Sequence, residues 1–170
     1  LTETERAQLL TTARDDAQRA LQAFGECGMV GPKIRPMYLL ANLLGEAGED
    51  REAYSKFQEC LALARQLRQL EGQEESLDGL IRLARRAGDL RERSEFLDEL
   101  ALIRTPDQSW ALTRAYALFL LDQDLGSSAA EFLQEHRPSS PFQVRDLEFL
   151  LGSAYLRNGD LTQARDAFAS

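Results

Sequence analysis

The feature that most constrains the fold is a turn in which glycine and an acidic residue separate two helical segments. Glycine adopts the left-handed conformation that ends a helix without a Cβ clash, and the acidic side chain caps the first N–H groups of the next helix. Each such turn therefore predicts a helical hairpin. The turns are Gly48-Glu49-Asp50, Gly88-Asp89-Leu90 and Gly159-Asp160-Leu161, with a degenerate version at Gln123-Asp124-Leu125-Gly126.

The spacing of these turns indicates a repeat. Gly48 and Gly88 are 40 residues apart, Gly88 and Asp124 are 36 apart, and Asp124 and Gly159 are 35 apart. A helix–turn–helix unit of this length cannot bury its apolar face alone, so neighbouring units must stack. The spacing predicts an all-α solenoid.

Apolar residues recur at helical spacing along almost the whole chain, and the scarcity of valine and isoleucine argues against a sheet. The prolines fall between pairs of helical segments, where they are tolerated. The predicted helices span about 3–24, 36–47, 50–70, 73–87, 90–104, 109–122, 127–136, 142–158 and 161–169.

Composition limits the classes of partner. The chain has 170 residues and a formal net charge of −8, which argues against a nucleic-acid duplex or an anionic membrane surface as the main partner. The chain begins at Leu1 and its last helical pattern runs to Ser170, so we expect a piece of a longer protein. Its compartment, cytoplasmic or periplasmic, stays open, as does a Cys27–Cys60 disulfide.

The last turn carries a likeness to a known family. In order, the residues that carry it are Leu151, Gly152, Tyr155, Gly159, Asp160, Ala164 and Phe168. This pattern resembles the tetratricopeptide repeat (TPR) family, in particular its bacterial scaffold proteins. A second match surrounds Gly48 and comprises Leu40, Ala41, Leu44, Ala53, Phe57 and Cys60. The unit around Gly88 departs from the pattern at Ile81 and Arg93, which implies looser or differently angled packing there.

The resemblance implies a right-handed TPR-like α-solenoid of about four helix–turn–helix units plus an N-terminal helix. We expect residues 1–170 to form a single domain. An extra helix occupies residues 1–31, and the repeats span about 34–73, 74–108, 109–141 and 142–170.

The sequence offers no arrangement of residues that supports catalysis. His136 is the only histidine, and it falls at the end of a predicted helix, where it can bond the last carbonyls or face solvent. A general base needs a nucleophile and an orienting group, and no spacing supplies them. We therefore expect a protein that is not an enzyme, with no metal and no cofactor.

The resemblance also implies where a partner would bind. In TPR proteins the first helix of each pair lines a concave groove, and Asn42 occupies a place where many members bond a ligand backbone. Arginines in such a groove suit carboxylates or an acidic peptide. Alternatively, the run "RLARRAGDLRER" is an ordinary solvated helix end. The candidate groove residues are Tyr38, Asn42, Arg82, Arg85, Arg86, Arg114, Phe149 and Arg157.

Three functional hypotheses follow. The first is a non-catalytic scaffold that binds a peptide or helix of another protein in the groove, in the service of complex assembly. The second is a structural spacer within a longer bacterial envelope or exopolysaccharide-export protein. The third is a regulatory solenoid that senses a ligand or peptide by changing its curvature.

Overall fold

The computed structural model describes residues 2–138 and 140–169, and this part of the chain is helical without strands. The predicted helices are confirmed, with ends that differ by a few residues. Short 3-10 turns at Gly31–Lys33 and Pro106–Gln108 precede two of them. The α-helices are α1 Glu3–Glu26, α2 Ile34–Glu46, α3 Asp50–Gln66, α4 Leu70–Ala87, α5 Leu90–Ile103, α6 Trp110–Asp122, α7 Gly126–Glu135, α8 Pro141–Arg157 and α9 Leu161–Ala169.

The chain forms two compact units, Leu1–Phe96 and Leu97–Ser170, which we call unit 1 and unit 2. In unit 1, α2 and α4 lie side by side, α3 packs against both, and α1 packs against α2. In unit 2, α6 and α8 lie side by side, α7 packs against both, and α9 packs against α8. Each unit thus contains the paired-helix arrangement that the turns predict.

The glycine turns adopt the predicted left-handed conformation, with φ values of 80°, 73° and 78° at Gly48, Gly88 and Gly159. Asp124 takes the same conformation in the degenerate turn, with φ 59°. A further left-handed residue, Arg68 with φ 55°, lies in the middle of the α3–α4 connection. The predicted helices 50–70 and 73–87 place this break at 71–72, beside Gly72, whereas the structure has it at 67–69 and Gly72 lies inside α4.

The acidic residues of the turns do not all act as caps. The carboxylates of Asp89 and Asp160 accept hydrogen bonds from backbone N–H groups of the following helices at 2.9 and 3.0 Å. Glu49 makes no such cap. Its carboxylate accepts instead from Arg14 Nη1 of α1 at 2.6 Å, because the longer side chain is a poorer cap and reaches across to the neighbouring helix.

Both cysteines are free thiols in the structure. The structure therefore contains no Cys27–Cys60 disulfide. Cys27 is exposed, whereas Cys60 is buried beside Ile34 and Ala64. Burial raises the pKa of the Cys60 thiol, because a thiolate loses its hydration there. Cys60 therefore packs as a small apolar side chain.

The unit around Gly88 is filled by larger side chains than the repeat pattern uses. Ile81 and Arg93 are both buried, at 2 % and 1 % exposure. The repeat pattern has alanine at the position of Arg93. The buried arginine side chain therefore fills interior volume that an alanine would not fill.

The substitution Arg68→Gly is expected to raise the free energy of unfolding by about 1 kcal/mol, because glycine removes the Cβ strain of the left-handed conformation. Urea denaturation followed by circular dichroism measures the change. The reverse exchange at an equivalent turn, Gly88→Ala, is the control and should lower stability by a similar amount. A neutral or destabilising Arg68→Gly would contradict the assignment of strain to this turn.

Candidate partner-binding surface

The sequence-predicted groove residues are divided between the two units. In unit 1, Tyr38 and Asn42 lie on α2, and Arg82, Arg85 and Arg86 lie on α4. In unit 2, the remaining residues lie on α6 and α8, namely Arg114, Phe149 and Arg157. We refer to the surface formed by Arg35, Tyr38, Asn42, Arg82 and Arg86 as the α2–α4 face.

Polar contacts join α2 to α4 along this face. Near the start of both helices, Arg35 forms an ion pair with Glu75, which raises the pKa of the Arg35 guanidinium. Further along, Arg82 Nη2 donates to Asn42 Oδ1 at 2.7 Å. Both contacts join residues 40 positions apart in the chain. α2 and α4 therefore run parallel in a fixed register.

Arg82 is held from two sides. Its Nε also lies 3.2 Å from Asp78 Oδ2, one turn earlier on α4. Asp78 is largely buried, whereas the Arg82 side chain is 43 % exposed. The guanidinium carries five N–H donors, so two of them fix its orientation and three remain for other acceptors.

Arg86 caps the C-terminal end of α2. Its Nη1 donates to the carbonyl of Gly45 at 2.9 Å, and its Nη2 lies 3.0 Å from Asp50 Oδ1 at the start of α3. A cation is favoured here because the last carbonyls of α2 carry partial negative charge. The side chain is 49 % exposed, so this guanidinium also faces solvent in a fixed position.

Asn42 and Tyr38 are already engaged within α2. Asn42 Nδ2 donates to the Tyr38 carbonyl at 2.9 Å while its Oδ1 accepts from Arg82. The Arg35 guanidinium lies over the Tyr38 ring, 5.7 Å from its centroid. A ligand backbone that met Asn42 would have to share these bonds or replace them.

Arg85 follows Arg82 on α4 and is exposed.

In unit 2, the predicted residues have different partners. Arg157 forms an ion pair with Asp124, the left-handed residue of the α6–α7 turn. Phe149 is 61 % exposed, and its ring lies 5.9 Å from that of Phe168 on α9. Arg114 is half-buried on α6.

The sequence of this chain matches no protein-family model and no curated protein. Its structure is similar to the nearly identical TPR-like repeats of a candidate kinesin light chain from Podosopora anserina, at 17% identity over 94% of this chain and 92% of that one, with a TM-score of 0.61. A variant of the same protein matches with a TM-score of 0.63 at 17% identity, over 94% of this chain and 91% of that one.

The fold is TPR-like. In an α-solenoid of this type, α2, α4, α6 and α8 are the first helices of their pairs, and α3, α5, α7 and α9 are the second helices. All the sequence-predicted groove residues lie on α2, α4, α6 and α8. That these helices line a binding groove stays a prediction. Asp50, the acidic partner of Arg86, carries no signal of this role in the sequence, because the pairing requires two helices to meet in space.

His136 of this TPR-like chain is partly exposed, at 22% of its side chain, and its ring bonds an aspartate rather than the last helix carbonyls. Its Nδ1 lies 2.8 Å from Asp107 Oδ1, and its ring packs against Phe132 at a centroid distance of 4.7 Å. Within residues 2–138 and 140–169, no hydrogen bond joins the imidazole to a hydroxyl or thiol. The contact ties the Pro106–Gln108 turn to the end of α7.

In the part of the chain that the structure describes, no group of three or more His, Cys, Asp or Glu side chains could hold a metal ion. None of the described helices is both long enough and apolar enough to cross a membrane.

Proposed function

We propose that this protein is a non-catalytic scaffold whose α2–α4 face binds an acidic peptide or helix of another protein. The observation that supports this most is the pairing of Arg82 and Arg86, one helical turn apart. Each is oriented by a bond to α2, and about half of each side chain is exposed. Two such guanidinium groups present fixed donors to carboxylates.

The fixed orientation of Arg82 and Arg86 favours binding, because these side chains lose most of their rotamer entropy on folding rather than on binding. A free arginine loses roughly 2 kcal/mol of rotamer entropy when it is ordered, whereas much of this loss has occurred here on folding. Hydrogen bonds to charged groups contribute about 1.5–3 kcal/mol each. A partner carboxylate would therefore gain most of the interaction energy of an arginine contact.

The acidic neighbours of Arg82 and Arg86 limit the affinity of this face for an acidic ligand. Asp78 and Asp50 already neutralise part of the charge on Arg82 and Arg86. A partner carboxylate must use the remaining donors, so we expect a moderate affinity that falls as salt screens the exposed part of the contact. The net charge of −8 disfavours acidic ligands elsewhere on the chain.

Binding of labelled peptides to the purified chain tests this proposal. An array of glutamate-rich peptides and the same peptides with glutamine at each glutamate would be titrated by fluorescence polarisation. We expect a subset of the acidic peptides to bind and their glutamine versions not to. The double variant Arg82→Gln, Arg86→Gln should weaken that binding by about tenfold or more, which corresponds to 1.4 kcal/mol.

The matched control is the variant Arg91→Gln with Arg165→Gln, which removes the same charge at exposed positions on α5 and α9. It should leave the affinity unchanged. Equal loss of binding in both double variants would mean that only net charge matters, and no loss in either would remove the α2–α4 face as the binding site.

A structural spacer is the second candidate, and the same contacts support it. Arg35, Arg82 and Arg86 all bind groups of their own unit, which is what packing alone would require. In that case the double variant would lower the unfolding free energy while no peptide in the array bound. The sensor hypothesis differs from both, since a ligand at 100 times its dissociation constant would stabilise the chain by about 2.7 kcal/mol.

A further inference from the structure

Three arginines of the α2–α4 face form a row along the seam where the two helices meet. Arg35 reaches from α2 to Glu75 on α4. Arg82 and Arg86 reach in the other direction, from α4 to groups on α2. The side chains of Arg35, Arg82 and Arg86 are 73%, 43% and 49% exposed, so a ligand on this face can contact all three.

The parallel register of α2 and α4 sets the distances within this row. Arg35 lies at the level of Glu75, which is seven residues before Arg82, and Arg86 follows four residues after Arg82. With a rise of about 1.5 Å per residue, the three guanidinium groups are spaced by about 10.5 Å and about 6 Å along the helix axes.

An extended peptide does not match both spacings. Side chains on one face of a strand recur at every second residue, so acidic residues two or four positions apart are separated by about 6.6 or 13 Å. The shorter separation fits Arg82 and Arg86, but both values miss the spacing between Arg35 and Arg82 by about 3–4 Å. The contacts that orient these guanidinium groups would have to break to make up the difference.

An α-helix lying along the seam matches both spacings with one face. It has the same rise per residue as α2 and α4, so acidic residues seven and four positions apart reproduce the spacings of the row. Three residues placed in this way lie within about 40° of one another around the helix axis. A single acidic stripe can therefore meet all three arginines at once.

The acidic stripe is not found on the helices of this chain. Among the α-helices in residues 2–138 and 140–169, none carries three acidic residues at spacings of seven and four. The complementary charge pattern therefore has to come from another protein.

We infer that the α2–α4 face binds an α-helix of a partner protein that carries three acidic residues on one face, spaced by seven and four residues. The helix lies along the seam with one acidic residue at each of Arg35, Arg82 and Arg86, and its direction sets which spacing comes first. This inference rests on the proposed function and narrows its ligand from acidic segments in general to one helical pattern.

Model peptides of about 20 residues, long enough to be helical alone, test the pattern on the full 170-residue chain. Two fluorescein-labelled alanine-rich peptides carry three glutamates each, one with spacings of seven then four and the other with four then seven. A third has the same composition with its glutamates five residues apart, which spreads them around the helix. One of the first two should bind about tenfold more tightly than the third, which can reach one arginine at a time. Circular dichroism of the free peptides confirms that their helicity is equal.

The variant Arg35→Gln separates a defined register from general attraction. It should weaken binding of the matching peptide by about threefold, as loss of one exposed charge pair does. It should not affect a version of that peptide with glutamine in place of the glutamate that faces Arg35. Arg91→Gln removes the same charge from α5, where the side chain is 89% exposed, and should change neither affinity. The comparison of peptides uses the unchanged protein, so it holds even if a variant fails to fold.

Four outcomes would overturn the inference. Equal binding of all three peptides that is lost in Arg82→Gln, Arg86→Gln would remove the helical pattern and leave the proposed function standing. Tighter binding of a glutamate peptide that prolines keep from forming a helix would do the same. Failure of every acidic peptide to bind would remove both proposals. A dimer of the chain in sedimentation that the double variant dissociates would assign this face to a second copy.

Discussion

Replacing Gly79 by alanine should lower the free energy of unfolding by about 2 kcal/mol, although alanine is the better helix former. A Cβ at this position would lie 2.3, 2.4 and 2.7 Å from three atoms of the Phe57 ring. Phe57 is buried and packs against Tyr38, so the ring cannot move aside without displacing other side chains. Urea denaturation monitored by circular dichroism measures the loss.

Gly152→Ala is the matched control, since Gly152 meets Phe168 nearly as closely as Gly79 meets Phe57. Its Cβ would lie 2.6 Å from the Phe168 ring. Phe168 is half-exposed and can swing toward solvent, so the gain in helix propensity of about 1 kcal/mol should offset the contact. Similar losses for both variants would show that the exposed ring is as constrained as the buried one, contrary to this account.

The substitution Leu147→Ala should lower the free energy of unfolding by about 2–5 kcal/mol. Leu147 is buried in the core of unit 2, where Leu121, Leu133 and Leu151 also lie. Removing three carbons there forfeits the transfer free energy of the side chain and leaves a cavity that the flanking helices fill only in part. Chemical denaturation of the full chain, fitted for midpoint and slope, gives the value.

Leu102→Ala makes the same chemical change at a position of unit 2 that is 86 % exposed. Its effect should fall within about 0.5 kcal/mol, as for other surface substitutions. A loss at Leu102 equal to that at Leu147 would mean that burial in this structure does not determine the energetics of unit 2.

Much of the architecture followed from local features of the sequence. The helices, the left-handed conformations of Gly48, Gly88 and Gly159, and the caps formed by Asp89 and Asp160 depend on residues close in the chain. Helical periodicity and turn chemistry act over a few residues, so a single sequence contains the information needed to predict them.

Other features depend on residues that are distant in sequence. Arg68 occupies a left-handed turn although nothing in its neighbourhood requires it, because the packing of α3 and α4 determines where α3 ends. Glu49 pairs with Arg14 rather than capping α3, since α1 happens to lie within its reach. The position of a side chain on a helix predicts its face but not the partner that it meets there.

The arginines of the candidate site illustrate the same division. Sequence position placed Arg82 and Arg86 on the exposed side of a first helix, and a resemblance assigned that side to a groove. Their engagement with Asn42, Gly45 and Asp50 could not be predicted, because it depends on the parallel register of α2 and α4.

The sequence alone therefore determined an all-α chain of helical hairpins, the positions of most turns and the first helices of the pairs, all of which follow from short-range periodicity and backbone conformation. Only the tertiary structure decided which side chains are covered. Phe57 of α3 is buried because α4 lies over it, whereas Phe168 of α9 is half-exposed, so burial depends on the neighbouring helix and not on the residue type. Side-chain accessibility, on which the proposed function rests, is a property of packing between elements rather than of any local pattern.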